Sequence, residues 1–385
     1  MGTHLTIVGG GLAGLVAAIS AREAGLDVTL HEASSELGGR ARTTRGAHHA
    51  NWGPHVIYRD GPLWDWLDRR GLGRPVHGYP YRAKVALRAG GHARRLPPAG
   101  FLAALRRLRS ARAPVDQTFS DWACGLVKDE DAAARVAAFM GVATFDHDPG
   151  RLSAAFVHER LRRVSSLPPS VGYFPGGWAT LAARLAAHAR KLGARIETRS
   201  RVDALPPAPL ILAVPLPRAA ALLDDPGLSW PGTRTALLDI GLVRRRFDPL
   251  VLSDLDAPGF GETYSIPDPG LAPPGEHLVQ LQAGLRPGED LGQSIRRLEG
   301  LLDSAFPDWR ERETWRRQHS VTDESGALDL PGTSWRDRPA VDRGDGVCLA
   351  GDMVAAPGLL SEVSHHSAVA AVARLTRAGA HLPAA

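Results

Sequence analysis

A glycine-rich turn near the start of the chain constrains the fold more than any other feature. In "LTIVGGGLAGLVAAIS", an apolar stretch predicted as a strand, Leu5 to Val8, runs directly into Gly9, Gly11 and Gly14 and then into a helix rich in alanine and leucine. Glycines at this spacing let the chain turn tightly, bring its backbone close to a pyrophosphate and pack the helix on the strand. The stretch therefore predicts a dinucleotide-binding turn after the first strand of a parallel sheet.

The residues that follow the turn narrow the choice of dinucleotide. The predicted helix, Leu12 to Ala24, directs free N–H groups and the positive end of its dipole at the phosphates. A second predicted strand, Val28 to Glu32, ends in a carboxylate that can accept hydrogen bonds from ribose hydroxyl groups, which disfavours the 2′-phosphate of NADP. Gly38, Gly39 and Arg40 follow, and a second close backbone approach with a guanidinium suits a pyrophosphate held from two sides. This order of residues favours FAD.

Four stretches of the chain together resemble one enzyme superfamily. The N-terminal signature of the FAD-dependent superfamily of flavin amine oxidases, protoporphyrinogen oxidases and phytoene-type desaturases is similar to "GGGLAGLVAAISAREAGLDVTLHEASSELGGRART". The family's stretch that passes the flavin ring resembles "NWGPHVIY", and its central segment resembles "FPGGWATLAARLAAHARKLGARIETRSRVDAL". Its closing motif is similar to "VCLAGDMVAAPGLLSEVSHHSAVAA". The resemblance extends over most of the predicted nucleotide domain.

The resemblance implies a role for each of these segments in binding FAD. The backbone of Val202 would lie against the adenine, Asp352 would hold the ribityl chain, and the closing helix would point its N-terminus, Leu359 to Ser361, at the flavin N1 and C2 carbonyl. FAD is expected to be bound noncovalently, because Cys348 falls within a predicted strand and not on the loop that faces the ring. The full set of expected cofactor-binding residues is Gly9, Gly11, Leu12, Ala13, Gly14, Glu32, Gly38, Gly39, Arg40, Gly53, Pro54, His55, Val202, Gly351, Asp352, Leu359 and Leu360.

The predicted fold class is α/β, with a discontinuous Rossmann-like FAD-binding domain built on a parallel sheet and an inserted α+β substrate domain. A predicted helix, Trp178 to Leu192, precedes an extended segment, Ala194 to Thr198, and "LILAVPLP", Leu210 to Pro217, is typical of a buried strand closed by proline. Another apolar strand, in "GVCLAGDMV", precedes a helix of small residues, Ser361 to Leu375. We assign 1–75, 172–235 and 335–385 to the FAD-binding domain and 76–171 and 236–334 to the substrate-binding domain.

The resemblance also implies hydride transfer from a substrate C–H bond to flavin N5. The donor could be an amine, an unsaturated ring or a polyene, so we expect a small or medium, largely apolar organic substrate. Flavin amine oxidases commonly place a lysine from the later part of the chain beside N5, whereas this sequence has no lysine after Lys191. A biosynthetic desaturase or oxidase is the leading prediction. A redox-neutral isomerase or mutase is the alternative, and a noncatalytic flavin-binding protein is the second alternative.

The sequence does not identify a catalytic residue. His55, His365 and His366 are candidate proton carriers, because the first lies on the flavin-passing stretch and the others lie on the closing helix, although each is more often structural. Arg338, in "RPAV", is as readily a structural anchor as a substrate contact. Aromatic residues that could line a substrate cavity are Trp52, Trp64, Trp66, Tyr79, Tyr81, Phe139, Tyr173, Phe174 and Tyr264.

The composition argues against several other classes of protein. The 385 residues include 46 basic and 41 acidic side chains that are interspersed, so the net charge of +5 does not predict a nucleic-acid-binding face. Cys124 and Cys348 lie far apart and predict neither a disulfide framework nor a zinc site. No apolar run reaches the roughly 18 residues that a membrane span needs. With no secretory leader before the first strand, we expect a cytoplasmic protein without a metal; the oligomeric state is left open.

One segment, residues 99–113, departs from this even distribution of charge. Phe101, Leu102, Leu105 and Leu108 recur at helical spacing with arginines interleaved. Such a helix could lie on an anionic membrane surface, which would suit a lipid-soluble substrate. Packing of its apolar stripe against its own domain is the favoured interpretation.

Overall fold

The structure, a computed structural model, describes residues 3–53, 55–323 and 326–379. Pro54, one of the expected flavin contacts, lies outside the described residues. The strands are β1 (His4–Val8), β2 (Asp27–His31), β3 (Ile57–Tyr58), β4 (His77–Gly78), β5 (Val85–Ala89), β6 (His92–Arg94), β7 (Val171–Tyr173), β8 (Arg195–Glu197), β9 (Leu210–Leu212), β10 (Arg234–Val243), β11 (Val251–Asp254), β12 (Gly259–Thr263), β13 (Glu276–Gly284), β14 (Glu313–Thr322), β15 (Asp342–Gly344) and β16 (Val347–Leu349). The α-helices are α1 (Leu12–Glu23), α2 (Pro62–Asp68), α3 (Phe101–Ser110), α4 (Phe119–Val127), α5 (Glu130–Phe139), α6 (Gly141–Thr144), α7 (Ala154–Val164), α8 (Trp178–Lys191), α9 (Leu216–Leu223), α10 (Leu291–Ala305), α11 (Trp309–Arg312) and α12 (Ser361–Gly379).

A six-stranded sheet carries the glycine-rich turn. Its order is β15-β16-β9-β1-β2-β8, and its strands are parallel except that β15 pairs antiparallel with β16. Within it, Val8 of β1 is in register with His31 on one side and with Leu212 on the other. Apolar residues of α1, α8 and α12 pack with fully buried strand residues such as Leu5 and Ile7. Burial on both faces is characteristic of a doubly wound parallel sheet. The predicted Rossmann-like α/β fold is therefore confirmed.

A seven-stranded sheet stands apart from the parallel one. Its order is β14-β10-β13-β12-β11-β5-β6, and neighbours are antiparallel except for β11 and β5. One face is covered by α10, whose Ile295, Leu298 and Leu302 are buried against strand residues. A separate apolar cluster joins α3, α4, α5 and α7 with the end of β5. A small third sheet has the order β3-β7-β4. The domain boundaries stay a prediction.

The predicted strand from Leu210 to Pro217 is shorter than expected. It ends at Leu212, and α9 begins at Leu216 with proline in its first turn. Proline has no N–H to donate, but the first turn of a helix does not need that donor, so Pro217 is tolerated there. The proline that predicted the end of a strand therefore lies in the start of a helix.

The basic helix α3 packs its apolar side inward. Phe101, Ala104 and Leu108 are buried, and the Phe101 ring meets Phe139 edge to face at 5.9 Å between centroids. Leu102, which the spacing placed on the same stripe, is 58% exposed. This geometry agrees with packing of the stripe against its own domain. Within the described ranges, none of the helices combines the length and apolar character needed to cross a bilayer.

Candidate cofactor and substrate site

A cavity of about 940 Å³ begins at the turn between β1 and α1. Gly9, Gly11, Leu12 and Ala13 form this end of its wall. Gly11 is the N-cap of α1 and makes no side-chain cap, and a Cβ on it would meet only the Gly39 Cα, at 4.0 Å, so this position faces open space. The first-turn N–H groups of α1 are therefore directed at the cavity, where an anion can accept their hydrogen bonds.

Two other glycines of the motif shape the turn itself. Gly9 has φ +107°, a conformation that favours glycine, and a Cβ there would lie 2.2 Å from the Ala213 carbonyl oxygen. A Cβ on Gly14 would lie 1.9 Å from the Gly9 carbonyl oxygen. Gly14 does not line the cavity and serves instead to pack α1 against the turn.

Glu32 lies directly after β2 and lines the same cavity. Its Oε2 accepts a hydrogen bond from the Gly10 N–H at 2.7 Å, and its Oε1 accepts one from the Ser34 N–H at 2.8 Å. Each carboxylate oxygen has a second lone pair, so Glu32 can hold the turn and still accept hydrogen bonds from a ligand hydroxyl.

The second glycine pair closes on the first. Gly38 and Gly11 form an isolated parallel bridge, and a Cβ on Gly39 would lie 3.3 Å from the Gly11 Cα. Arg40 follows and forms an ion pair with Asp352, with 2.7 Å between Nη2 and Oδ2. Gly11, Gly38, Gly39, Arg40 and Asp352 were all expected to contact the cofactor, and all five line the cavity.

The structure separates the remaining expected cofactor contacts into two groups. Val202, Gly351 and Leu360 line the cavity, as does Ser361 at the start of α12. Gly53 and Leu359 do not. Residues on the cavity wall from the predicted cofactor set are Gly9, Gly11, Leu12, Ala13, Glu32, Gly38, Gly39, Arg40, His55, Val202, Gly351, Asp352 and Leu360.

Besides Gly14, two described residues of the predicted cofactor set miss the wall, and each has a local reason. Leu359 is 3% exposed, and its N–H donates to the Glu362 Oε2 at 3.0 Å, so it anchors the entry to α12. The carbonyl of Gly53 accepts from the His55 Nδ1–H at 2.6 Å, which turns the imidazole of His55 and not the glycine toward the cavity.

The far part of the cavity is an apolar chamber. Of the nine aromatic candidates, Tyr79, Phe139, Tyr173 and Tyr264 line it, together with Val251 and Phe260 from the seven-stranded sheet. The other five do not line it: Trp52, Trp64, Trp66, Tyr81 and Phe174. No lysine is found among the described residues that form the wall.

The chamber contains a buried acid that sequence reasoning missed. Glu262, on β12, is 4% exposed and lines the cavity. The Tyr173 hydroxyl donates to its Oε1 at 2.5 Å, and the Tyr264 hydroxyl also hydrogen-bonds this carboxylate. Burial raises the pKa of Glu262 to about 7, although both hydrogen bonds oppose that shift. Glu262 falls on the same face of β12 as Phe260, but a glutamate in a strand is ordinarily exposed, so the spacing alone did not single it out.

The three histidine candidates lie in different places. His55 lines the cavity, and burial lowers its pKa to about 4. His365 and His366 do not line it. The ring of His365 packs against Trp66 at 5.7 Å between centroids, while the His366 Nδ1–H donates to the Pro357 carbonyl at 2.8 Å. Helix α12 turns these two side chains toward α2 and the preceding loop, so their positions do not support the predicted role as proton carriers.

Arg338 is resolved as a structural anchor. Its Nε and Nη2 donate to the two carboxylate oxygens of Asp329, each at 2.8 Å, and both side chains are buried. Arg338 does not line the cavity.

Known proteins share both the turn and the whole fold. Residues 7–70 match the family model of an NAD(P)-binding Rossmann-like domain. A search among curated proteins found no match. The crystal structure of an oxidoreductase from Methanosarcina mazei is 17% identical, with a TM-score of 0.79 over 97% of this chain and 100% of that chain.

Two further structures differ in the reactions that their names describe. Cyclohexylamine oxidase from Brevibacterium oxydans is 17% identical, with a TM-score of 0.70 over 99% of this chain and 100% of that chain. Reduced UDP-galactopyranose mutase is 14% identical, with a TM-score of 0.69 over 99% of this chain and 96% of that chain. At these identities the likeness is one of fold. The chain therefore shares its fold with these solved structures, an amine oxidase among them, which is the fold that the resemblance of its sequence motifs implied.

Proposed function

We propose that the protein is an FAD-dependent oxidoreductase that dehydrogenates a small or medium, largely apolar organic substrate. The observation that supports this proposal is one continuous cavity with two different ends. One end is formed by the glycine turns at Gly9 to Ala13 and Gly38–Gly39, which we call the cradle, and the other is the tyrosine-lined chamber. Cofactor and substrate would share this space, which is the arrangement that hydride transfer between them requires.

The cradle fits the chemistry of FAD. The uncapped first turn of α1 and the Gly38–Gly39 pair would hold the pyrophosphate, with Arg40 as its cation. Glu32 would bind the adenosine ribose, Val202 would lie against the adenine, and Asp352 would hold the ribityl chain. The open space that a Cβ on Gly11 would occupy is the close backbone approach that a pyrophosphate needs.

The start of α12 would serve the flavin ring. Leu360 and Ser361 line the cavity at the N-terminus of a helix that runs from Ser361 to Gly379. The positive end of its dipole would stabilise negative charge on the ring system, which favours acceptance of a hydride at N5 when FAD is bound. Binding is proposed to be noncovalent, since neither Cys124 nor Cys348 lies on the wall of the cavity.

A redox-neutral isomerase or mutase is the second candidate. UDP-galactopyranose mutase shares the fold, and no lysine is found on the described part of the cavity wall, where flavin amine oxidases commonly place one beside N5. A protein that holds the flavin without catalysis ranks third, because the chamber beside the cradle leaves room for a substrate.

The proposal is tested on the purified protein in two steps. Visible absorbance and FAD released into the supernatant on denaturation measure whether the flavin is present and whether it is noncovalent. Anaerobic stopped-flow absorbance with panels of amines, alcohols and cyclic alkenes then measures reduction of the flavin. Bleaching by one class supports dehydrogenation. Substrate conversion without bleaching, oxygen uptake or an added electron acceptor supports the mutase alternative, and a colourless protein with no thermal shift on adding FAD contradicts both.

A further inference from the structure

Glu262 is the most unusual group in the chamber. The residue is 4% exposed, yet the described structure places no arginine or lysine in an ion pair with its carboxylate; its partners are the hydroxyl groups of Tyr173 and Tyr264. Burial of an acid without a cation costs free energy, so a purely structural site would be served as well by a neutral glutamine or by an apolar residue.

The two tyrosines hold this carboxylate in place at the wall of the cavity. Tyr173 donates to Oε1 at 2.5 Å, while the hydroxyl of Tyr264 bridges the carboxylate and the backbone N–H of His55. His55 belongs to the stretch that is proposed to pass the flavin ring. A network of two hydrogen bonds therefore ties Glu262 to the segment that would flank the ring, and each carboxylate oxygen keeps lone pairs for a ligand.

The neighbouring groups are poor proton acceptors. Burial and the nearby Glu262 charge raise the pKa of both Tyr173 and Tyr264, so these hydroxyl groups stay protonated and act as donors. Burial lowers the pKa of His55 to about 4, which makes its imidazole a weak base. Tyr79 is the third phenol beside the acid, and burial raises its pKa as well. Glu262 is thus the strongest base that the tyrosine-lined chamber offers near neutral pH.

We propose that Glu262 is the proton acceptor of the reaction, and that the substrate is an apolar molecule whose oxidised carbon carries an O–H or N–H group. This inference rests on the proposed function and names its substrate class. The C–H bond gives its two electrons and hydrogen, as hydride, to FAD; the O–H or N–H bond gives its proton to the Glu262 carboxylate. The electron pair of that bond forms C=O from an alcohol or C=NH₂⁺ from an ammonium, so atoms and charge balance.

The substrate class is tested first by equilibrium binding to the FAD-loaded protein. Toluene, benzyl alcohol and benzylamine share one ring and differ in the donor group, and perturbation of the flavin absorbance reports their affinities. In the wild type we expect benzyl alcohol or benzylamine to bind about tenfold more tightly than toluene, from one hydrogen bond to a charged acceptor. The donor that shows the preference decides between an alcohol and an amine.

Two variants separate charge from shape. Glu262→Gln keeps the size of the side chain and an acceptor oxygen for the tyrosines, and it is expected to bring the three affinities within about threefold of one another. Phe260→Leu changes the same face of β12 without changing charge, so it should shift the three affinities together and keep their order. An unchanged preference in Glu262→Gln, or no preference in the wild type, overturns the inference.

The proton transfer has its own readouts. Infrared spectra of the wild type should contain a protonated-carboxyl band that disappears as pH rises and that Glu262→Gln lacks. With an alcohol or amine that bleaches the flavin, Glu262→Gln should slow the bleaching by about a hundredfold or more. If the wild type and Glu262→Gln have the same carboxyl bands, or if they bleach at the same rate, the role of Glu262 is contradicted while the proposed function stands. Failure to load FAD contradicts the proposed function itself, so the two failures are distinguishable.

Discussion

Arg40 and Asp352 lie 312 positions apart in the chain and meet on the wall of the cavity, with 2.7 Å between Nη2 and Oδ2. Arg40 also donates to the backbone carbonyl of Asp323. Both side chains of the pair were expected from the sequence to contact FAD, one at the pyrophosphate and the other at the ribityl chain. Their ion pair joins the first βαβ unit to the segment that follows β16. One interaction therefore links two parts of the cavity wall that are far apart in the sequence.

Replacing Arg40 by methionine should weaken FAD binding. A charged hydrogen bond to a phosphate contributes enough for its loss to lower affinity by about tenfold to a hundredfold. Stability of the FAD-free protein should change little, because the guanidinium is 36% exposed and such pairs add about 1 kcal/mol at most. Titration of the FAD-free protein with FAD, followed by quenching of flavin fluorescence, measures the affinity.

Arg45→Met is the matched control for this change. Arg45 is 84% exposed, pairs with Glu36 and does not line the cavity, so the same substitution there should leave FAD affinity unchanged. Equal affinity of Arg40→Met and the wild type would remove Arg40 from the proposed phosphate site.

Gly11 and Gly14 should respond to substitution in opposite ways. Leucine at Gly11 projects into open space and φ there is −73°, so Gly11→Leu should fold with unchanged stability and lose FAD by filling the cradle. Alanine at Gly14 would collide with the Gly9 carbonyl at 1.9 Å, so Gly14→Ala should unfold at lower denaturant. Denaturant titration of both FAD-free variants, with FAD content measured in parallel, checks the contrast; FAD retained by Gly11→Leu would contradict the cradle.

Local sequence patterns predicted the nucleotide end of the molecule well. The turn at Gly9, the helix after it and the acid at Glu32 are neighbours in the chain, so spacing alone conveys their geometry. Asp352 required the resemblance, because nothing local relates it to a turn more than three hundred residues earlier. Its position beside Arg40 follows from parallel pairing of β16 with β9 and of β9 with β1.

The substrate end of the cavity could not be predicted from the sequence, because it depends on contacts between distant segments that no local pattern records. Glu262 is buried because the tyrosines that cover it come from β7 and from the residue after β12, and a glutamate in a strand ordinarily predicts exposure. His365 shows the reverse: a polar residue on the closing helix suggested function, yet the helix faces it toward Trp66. Burial of a polar side chain is set by tertiary packing, so the sequence could not separate these two cases.

The raised pKa of Glu262 should make the stability of the FAD-free protein fall as pH rises. The folded carboxyl binds its proton with a pKa of about 7, whereas an unfolded glutamate has a pKa of about 4.3. The contribution of the protonated acid is complete below about pH 4 and is lost progressively as pH rises toward 7. Relative to Glu262→Gln, the wild type should lose up to about 3 kcal/mol of unfolding free energy over that window.

Denaturant unfolding of the wild type and Glu262→Gln at several pH values between about 4.5 and 8 measures this difference. Other titrating groups, including His55 and the three tyrosines of the chamber, are common to both proteins and cancel. A difference that stays constant with pH, or that grows in favour of the wild type, would show that the buried acid titrates at its ordinary pKa.

Arg338 should matter for folding and not for the cavity. Removal of one partner from a buried, bidentate pair leaves an uncompensated charge, so Arg338→Met should lower the unfolding free energy by about 3 to 5 kcal/mol. The double variant with Asp329→Leu removes the stranded acid as well and should recover part of that loss. Denaturant titration measures both changes, and FAD affinity of the folded single variant should equal that of the wild type; a selective loss of affinity would reassign Arg338 to the site.

Contact of residues 99–113 with a membrane stays a prediction, and the structure limits its form. The apolar residues Phe101 and Leu108 are buried, so α3 cannot insert them into lipid without unfolding its own cluster. Its outer face exposes Arg106, Arg107 and Arg109, each of which can gain about 1 kcal/mol near an anionic surface. Any binding should therefore be electrostatic: absent with phosphatidylcholine vesicles, present with vesicles rich in phosphatidylglycerol, and abolished by high salt.

Vesicle sedimentation with charge-reversal variants tests this expectation. Arg106→Glu combined with Arg107→Glu should abolish sedimentation with anionic vesicles. Arg195→Glu is the control for reversing one surface charge elsewhere, because Arg195 lies on β8 with its side chain 75% exposed. Because phosphate contacts by several arginines also attract nucleic acid, a DNA competitor distinguishes a general polyanion surface from a lipid surface. Binding to neutral vesicles, or binding that persists in high salt, would mean that apolar residues of α3 leave their own core, and that would overturn the inward packing of its stripe.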